Sequence, residues 1–170
     1  DMHVVLEPGA TWLAWEIVRL GRSARGERFL AGQWRSRTQV WQGDRPLWID
    51  AQHWPGSQGR EAAWQSPHGL GGWPVVASLV WLGQPVSRDL VSQVRQLWLD
   101  LADQGQSSGD LVGDASGETV DRSASPGETG ATRLDAGLLC RYRGPSTARA
   151  RAWFEAIGRL LADNSDRSGS

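Results

Sequence analysis

Two carboxylates sit where the sequence is otherwise apolar. Glu16 lies in TWLAWEIVRL among Trp12, Leu13, Trp15, Ile17 and Val18, and Asp50 lies in LWIDAQHW beside Leu47, Trp48 and Ile49. Side chains alternate along an extended chain, so Glu16 shares a face with Trp12, Ala14 and Val18, and Asp50 shares one with Trp48 and Gln52. If those faces are buried, each carboxylate needs a cation, an arginine or water beside it, because an unpaired buried charge is prohibitively costly. A metal path or an internal watery channel supplies such a partner. An outward orientation, or an arginine on a neighbouring strand, removes the difficulty just as well, and spacing alone leaves all of these open.

A second group is the arginine cluster Arg19, Arg22, Arg25 and Arg28, carried with Glu27 by VRLGRSARGERF. A phosphate cradle, a partner-docking loop and a solvated turn share that composition. GRSARG lacks the lysine and the strand-to-helix setting of a phosphate loop. Nor do aromatic residues interleave with the arginines, as a nucleic-acid surface requires. Elsewhere, His3, His53, His68 and Cys140 are too widely spaced for a structural zinc site, and no CxxC, HExxH or HxH occurs. Ser66 is close to His68, but no nucleophile elbow surrounds it. The chain is therefore read as a non-enzyme.

Composition narrows the class further. A chain of 170 residues, 39% hydrophobic and 22% charged, is ordinary globular material, long enough for one domain with a core. A net charge of −1 provides no field to draw in nucleic acid or an anionic membrane. All 18 basic residues are arginine. The single cysteine rules out an internal disulfide and allows a reducing compartment. No run approaches the roughly 20 apolar residues that span a bilayer, and DMHVVLEPGA does not read as a signal peptide. The 11 tryptophans, against two Phe and one Tyr, either fill a core or form a stacking platform for a ligand such as a glycan.

The elements that must position these residues are mostly strands. VVLEPGA and TWLAWEIVRL read as two strands. QWRSRTQVW alternates with period two and joins LWIDAQHW through a turn at Gly43 to Pro46, which predicts a hairpin. WPVVASLVWL is a further apolar strand. The period then changes: Leu90, Val91, Val94, Leu97, Trp98 and Leu101 form a helical stripe, with Ser87 as cap, Asp89 in the first turn and Gly105 at the end. A flexible loop is expected over about 105–128, and ATRLDAGLLCRYRG returns to strands. A second helix starts at cap Ser146 with Ala152, Trp153, Ala156, Ile157 and Leu160 on one stripe. The expected organisation is a single domain over 1–163 and a disordered tail over 164–170.

The order of these pieces resembles the urease accessory protein UreD family, also called UreH. Its members carry an apolar strand and then W-[DE]-x-x-x-L-G-R-x-x-x-G-E-x-F, matched here by Trp15, Glu16, Leu20, Gly21, Arg22, Gly26, Glu27 and Phe29. The hairpin, GLGGWPVVASLVWL and TRLDAGLLCRYRGPSTARARAWFEAIGRLL also look like the family's later segments, so the likeness runs from about residue 3 to 162. Glu16 stands where most members have aspartate, and Arg19 where many have cysteine. The family's glycine-rich N-terminal segment has no counterpart, so the resemblance is to the C-terminal half to two-thirds of such a chain.

The resemblance implies a mainly β, stacked or helicoidal architecture with two helices in the C-terminal half. It also implies a cytoplasmic, non-catalytic scaffold and nickel conduit. Such a protein binds UreF, the GTPase UreG and apo-urease, with Ni²⁺ in transit and no permanent cofactor, nucleic acid or membrane partner. On that reading Glu16 and Asp50 line the nickel path, and Arg22, Glu27 and Arg28 form a docking rim. The rival expectation is a Trp-rich β-sandwich binding module, which places several tryptophans on one exposed flat face.

Overall fold

The computed structural model describes residues 1–21, 29, 31–56, 66–107 and 125–168. Its elements are β1 (Met2–Val5), β2 (Trp12–Arg19), β3 (Gln33–Gln42), β4 (Arg45–Pro55), β5 (Val75–Leu82), α1 (Arg88–Ser107), β6 (Glu128–Leu134), β7 (Gly137–Gly144) and α2 (Thr147–Ser168). Strands dominate and two helices lie in the second half, as the sequence leads one to expect. None of the described helices is long and apolar enough to cross a membrane.

The strands form two sheets. One has the order β1-β3-β4, with β1 parallel to β3 and β4 antiparallel to it; the other has the order β2-β5-β7-β6 and is antiparallel throughout. The β3–β4 hairpin closes at Gly43, whose φ of 57° suits a residue without a Cβ. A register shift between Val40 and Trp41 lets Pro46 enter β4, an edge strand, where a missing N–H is tolerated.

The four-stranded sheet is the middle layer. Val75, Ala77 and Leu79 of β5 and Leu138, Cys140 and Tyr142 of β7 face the helices, where they pack with Val94, Trp98, Trp153, Phe154 and Ile157. On the opposite face, Val80 and Leu82 of β5 pack with Val40 of β3 and with Leu6. This explains why VVASLVWL is apolar nearly throughout: β5 is covered on both sides.

Both helices start where their caps place them. The Leu90 amide donates to Ser87 Oγ at 3.0 Å, and the Arg149 amide donates to Ser146 Oγ at 3.3 Å. The α1 stripe is confirmed, with Leu97 and Leu101 only partly buried. On α2 the buried seam is Ala150, Trp153, Phe154, Ile157 and Leu161, so it is rotated from the expected stripe, and Ala152, Ala156 and Leu160 lie at its margin. Both helices also run further than expected. A lone glycine costs about 1 kcal/mol within a helix and does not stop it, so α1 passes Gly105 and reaches Ser107. Helix α2 continues through Asn164, whose Nδ2 donates to the Leu160 carbonyl at 2.7 Å, to Ser168, into the segment read as a tail. The loop expected over about 105–128 falls mainly on 108–124, outside the described residues, and β6 begins at Glu128 rather than at Ala131.

Aromatic packing holds the helix layer to the sheet. Trp98 meets Trp153 and Tyr142 edge-on at ring centroid distances of 5.8 and 5.5 Å, and Trp153 Nε1 donates to the Val94 carbonyl at 3.0 Å. Trp153→Ala should therefore cost about 3–5 kcal/mol, because it opens a large cavity and removes the indole's bond to α1; urea unfolding measures it. Burial also pushes the Cys140 thiol from 9.0 up to about 12. Since the unfolded thiol ionises first, this group's contribution to stability is complete below its unfolded pKa of 9.0 and is lost as pH climbs toward about 12. At neutral pH a thiol reagent should label Cys140 only after unfolding.

Candidate functional site

Between the sheets, the packing changes character along its length. At one end, Leu6, Val40, Val80 and Leu82 close an apolar contact. At the other, the same alternation of faces brings polar residues together. Glu16 of β2 pairs in register with Ser78 of β5, Ser78 with Arg141 of β7, and Arg141 with Gly130 of β6. In the opposing sheet, Met2 of β1 is level with Thr38 of β3, and Thr38 with Asp50 of β4. A row containing one carboxylate thus faces a row containing the other.

A charged hydrogen bond crosses the gap. Arg141 Nη2 donates to Asp50 Oδ1 at 2.8 Å, while Nη1 of the same guanidinium donates to Ser78 Oγ at 3.2 Å. The other carboxylate oxygen, Asp50 Oδ2, accepts from Gln52 Nε2 at 2.7 Å, and Gln52 Oε1 accepts from the Trp54 indole at 3.4 Å. The Asp50 side chain is 16% exposed and that of Arg141 is 42% exposed, so the pair is only partly withdrawn from water. Arg143, two residues further along β7, donates to Glu128 of β6 and, at 2.6 Å each, to the carbonyls of Pro67 and Gly69. It pins the 66–72 turns against the sheet.

Two cavities flank this network. One, of about 300 Å³, is lined by Glu16, Ser36, Thr38, Trp48, Asp50 and Ser78 among others. The second, of about 540 Å³, is lined by Asp50, Gln52, His53, Glu128, Arg141 and Arg143 among others. Asp50 and Gln52 belong to both walls. The donors offered to a cation are carboxylate, hydroxyl and amide oxygens, which suit a loosely held, hydrated ion. Among the described residues there is no group of three or more His, Cys, Asp or Glu able to hold a metal.

The sequence-predicted residues are placed as follows. Glu16 and Asp50 line one cavity, although they lie 34 positions apart in the chain and in different sheets. Asp50 has the arginine partner that a half-buried carboxylate demands. Glu16 is exposed on edge strand β2, so solvent meets its needs and the burial argument does not apply to it. Arg22, Glu27 and Arg28 lie outside the described residues. His3, His53 and His68 are exposed, and Cys140 is buried on the helix side, away from the cleft. Sequence reasoning missed Arg141, Ser78, Gln52 and Arg143. Arg141 is 91 residues from Asp50, beyond any local pattern. The available signal was LLCRYR, whose period of two puts Leu139, Arg141 and Arg143 on one face.

The sequence profile of the UreD urease accessory protein family matches residues 1–168. The chain belongs to the UreD family. UreD of Nostoc punctiforme is 48% identical over 161 residues, covering 95% of this chain and 48% of that protein. UreD of Acaryochloris marina is 45% identical over 160 residues, covering 94% of this chain and 48% of the relative. UreD of Synechocystis is 34% identical over 160 residues, covering 94% and 50%. The chain thus spans about half the length of the curated UreD relatives it matches. UreD proteins are accessory proteins, not enzymes, so no catalytic constellation is called for.

The two carboxylates should separate in a stability measurement. Asp50→Ala strands the Arg141 guanidinium and should cost about 1–3 kcal/mol, toward the low end because that side chain can rehydrate. Glu16→Ala should stay within about 0.5 kcal/mol of the parent, since it removes an exposed side chain from an edge strand. Urea unfolding at neutral pH compares them.

Proposed function

We propose that this chain acts in urease maturation as a non-catalytic scaffold whose intersheet cleft passes Ni²⁺ toward apo-urease. The observation that carries this reading is the convergence of Glu16 and Asp50, from different sheets, on one cavity in a UreD-family chain. Packed sheets ordinarily fill the space between them with apolar side chains. Here Ser36, Thr38, Gln52 and Ser78 join the carboxylates in a wall shared with Trp12, Trp48 and Val80, which leaves part of the gap wettable. Nickel binds imidazole and thiolate more firmly than carboxylate and water, so oxygen donors suit an ion that must move on. Transit in a cytoplasmic complex with UreF, UreG and apo-urease fits this reading, with no resident cofactor. The Arg22, Glu27 and Arg28 segment is proposed as part of the docking rim.

The Trp-rich binding module has less support. Trp73, Trp98 and Trp153 are buried, while Trp12, Trp34, Trp41, Trp48, Trp54 and Trp81 are half-buried. Trp15 alone among the described tryptophans is exposed, at 45%, and it leans on Phe154 at 6.3 Å. Among the described residues, that arrangement offers a glycan no flat stacking face.

The test replaces the charges and keeps the shapes. Glu16→Gln with Asp50→Asn should lower urease activation about tenfold, the scale seen when groups that support a metal are lost, in cells whose only UreD is this chain. Co-purification with UreF should be unchanged. Full activation in the double variant contradicts the conduit; loss of co-purification reassigns these residues to assembly.

A further inference from the structure

Two side chains, Asp50 and Gln52, stand where the two cavities meet. Asp50 lines both, Ser78 lines the smaller and Arg141 lines the larger. The Arg141 guanidinium holds both of its partners at once, Asp50 Oδ1 at 2.8 Å and Ser78 Oγ at 3.2 Å. Its positive charge therefore lies at the carboxylate that a cation entering from either side must approach. Gln52 occupies the other oxygen of Asp50 from the side, at 2.7 Å, and so fixes the carboxylate plane.

We propose that Arg141 is the specificity-determining residue of the cleft: a cation passes Asp50 only by taking its oxygen from the guanidinium. This rests on the reading that the cleft carries a cation. The competitor is itself a cation, a planar guanidinium whose fork matches a carboxylate. A monovalent ion brings no more charge to Asp50 than the guanidinium it must displace, whereas a divalent ion brings twice as much. The exchange thereby favours divalent cations. It also limits how tightly they are held, because Arg141 returns. The structure provides room for the movement: the Arg141 side chain is 42% exposed, and Ser78 tethers its other nitrogen at the β5–β7 pairing.

The experiment measures Ni²⁺ binding to the purified chain by calorimetric titration, with Ni²⁺ alone as the probe. Arg141→Gln removes the competitor and should tighten binding about tenfold, the scale of one charged hydrogen bond. Adding Asp50→Asn should erase that gain. Arg141→Lys, which keeps the charge but gives up the two-point contact, should show a smaller gain and serves if the glutamine variant fails to fold. Unchanged affinity in both Arg141 variants overturns the proposal, as does a gain that survives in Arg141→Gln with Asp50→Asn. Urease activation is not read here, so a failed delivery assay would overturn the conduit reading separately.

Discussion

The four-stranded sheet has to serve two environments at once, and the period of two along its strands is what lets it do so. On β7, Leu138, Cys140 and Tyr142 enter the helix-side core while Leu139, Arg141 and Arg143 turn to the other sheet. A slip of one residue would drive both arginines into the packing of Trp98, Trp153 and Phe154 and would strip Asp50 of its partner. Register is held tightly here. Gly137 lies so close to the β5 backbone that a Cβ would run into the Trp81 carbonyl oxygen. Apolar core and polar cleft are two sides of one alignment.

The polar end of the cleft is maintained against the ordinary tendency of sheets to close on apolar contacts. An uncompensated carboxylate between sheets would be untenable, and Asp50 persists because Arg141 and Gln52 satisfy it from two directions. The same contacts explain why the groups stay usable. Arg141 is partly solvated and Glu16 lies on an edge strand in the open, so neither is locked into a dry, permanent bridge. The proposed passage of a hydrated ion requires groups that stay usable in this way.

What was legible in the sequence follows the range of the physics involved. Local signals were readable: the period-two runs, the caps Ser87 and Ser146, and the α1 stripe. Glu16 and Asp50 stood out because a carboxylate within an apolar run conflicts with its surroundings. Alternation gave the residues that share a face with each but left open whether that face looks inward; both carboxylates line the intersheet gap. Their exposure did not follow, since β2 is an edge strand only once the whole sheet order is known. Arg141 was invisible for a related reason: its meeting with Asp50 depends on two sheets stacking, and no spacing encodes that. The first helix was ended early because Gly105 was read as a stop, although one glycine costs little within an established helix, and the second because its polar last turn was read as a tail.

The most direct measurement is anomalous diffraction at the nickel edge from a crystal of this chain soaked in Ni²⁺. The account predicts an anomalous peak within the cleft, against Asp50 and on the side facing Glu16. Peaks confined to the exposed histidines His3 and His68, with none against Asp50, would contradict it.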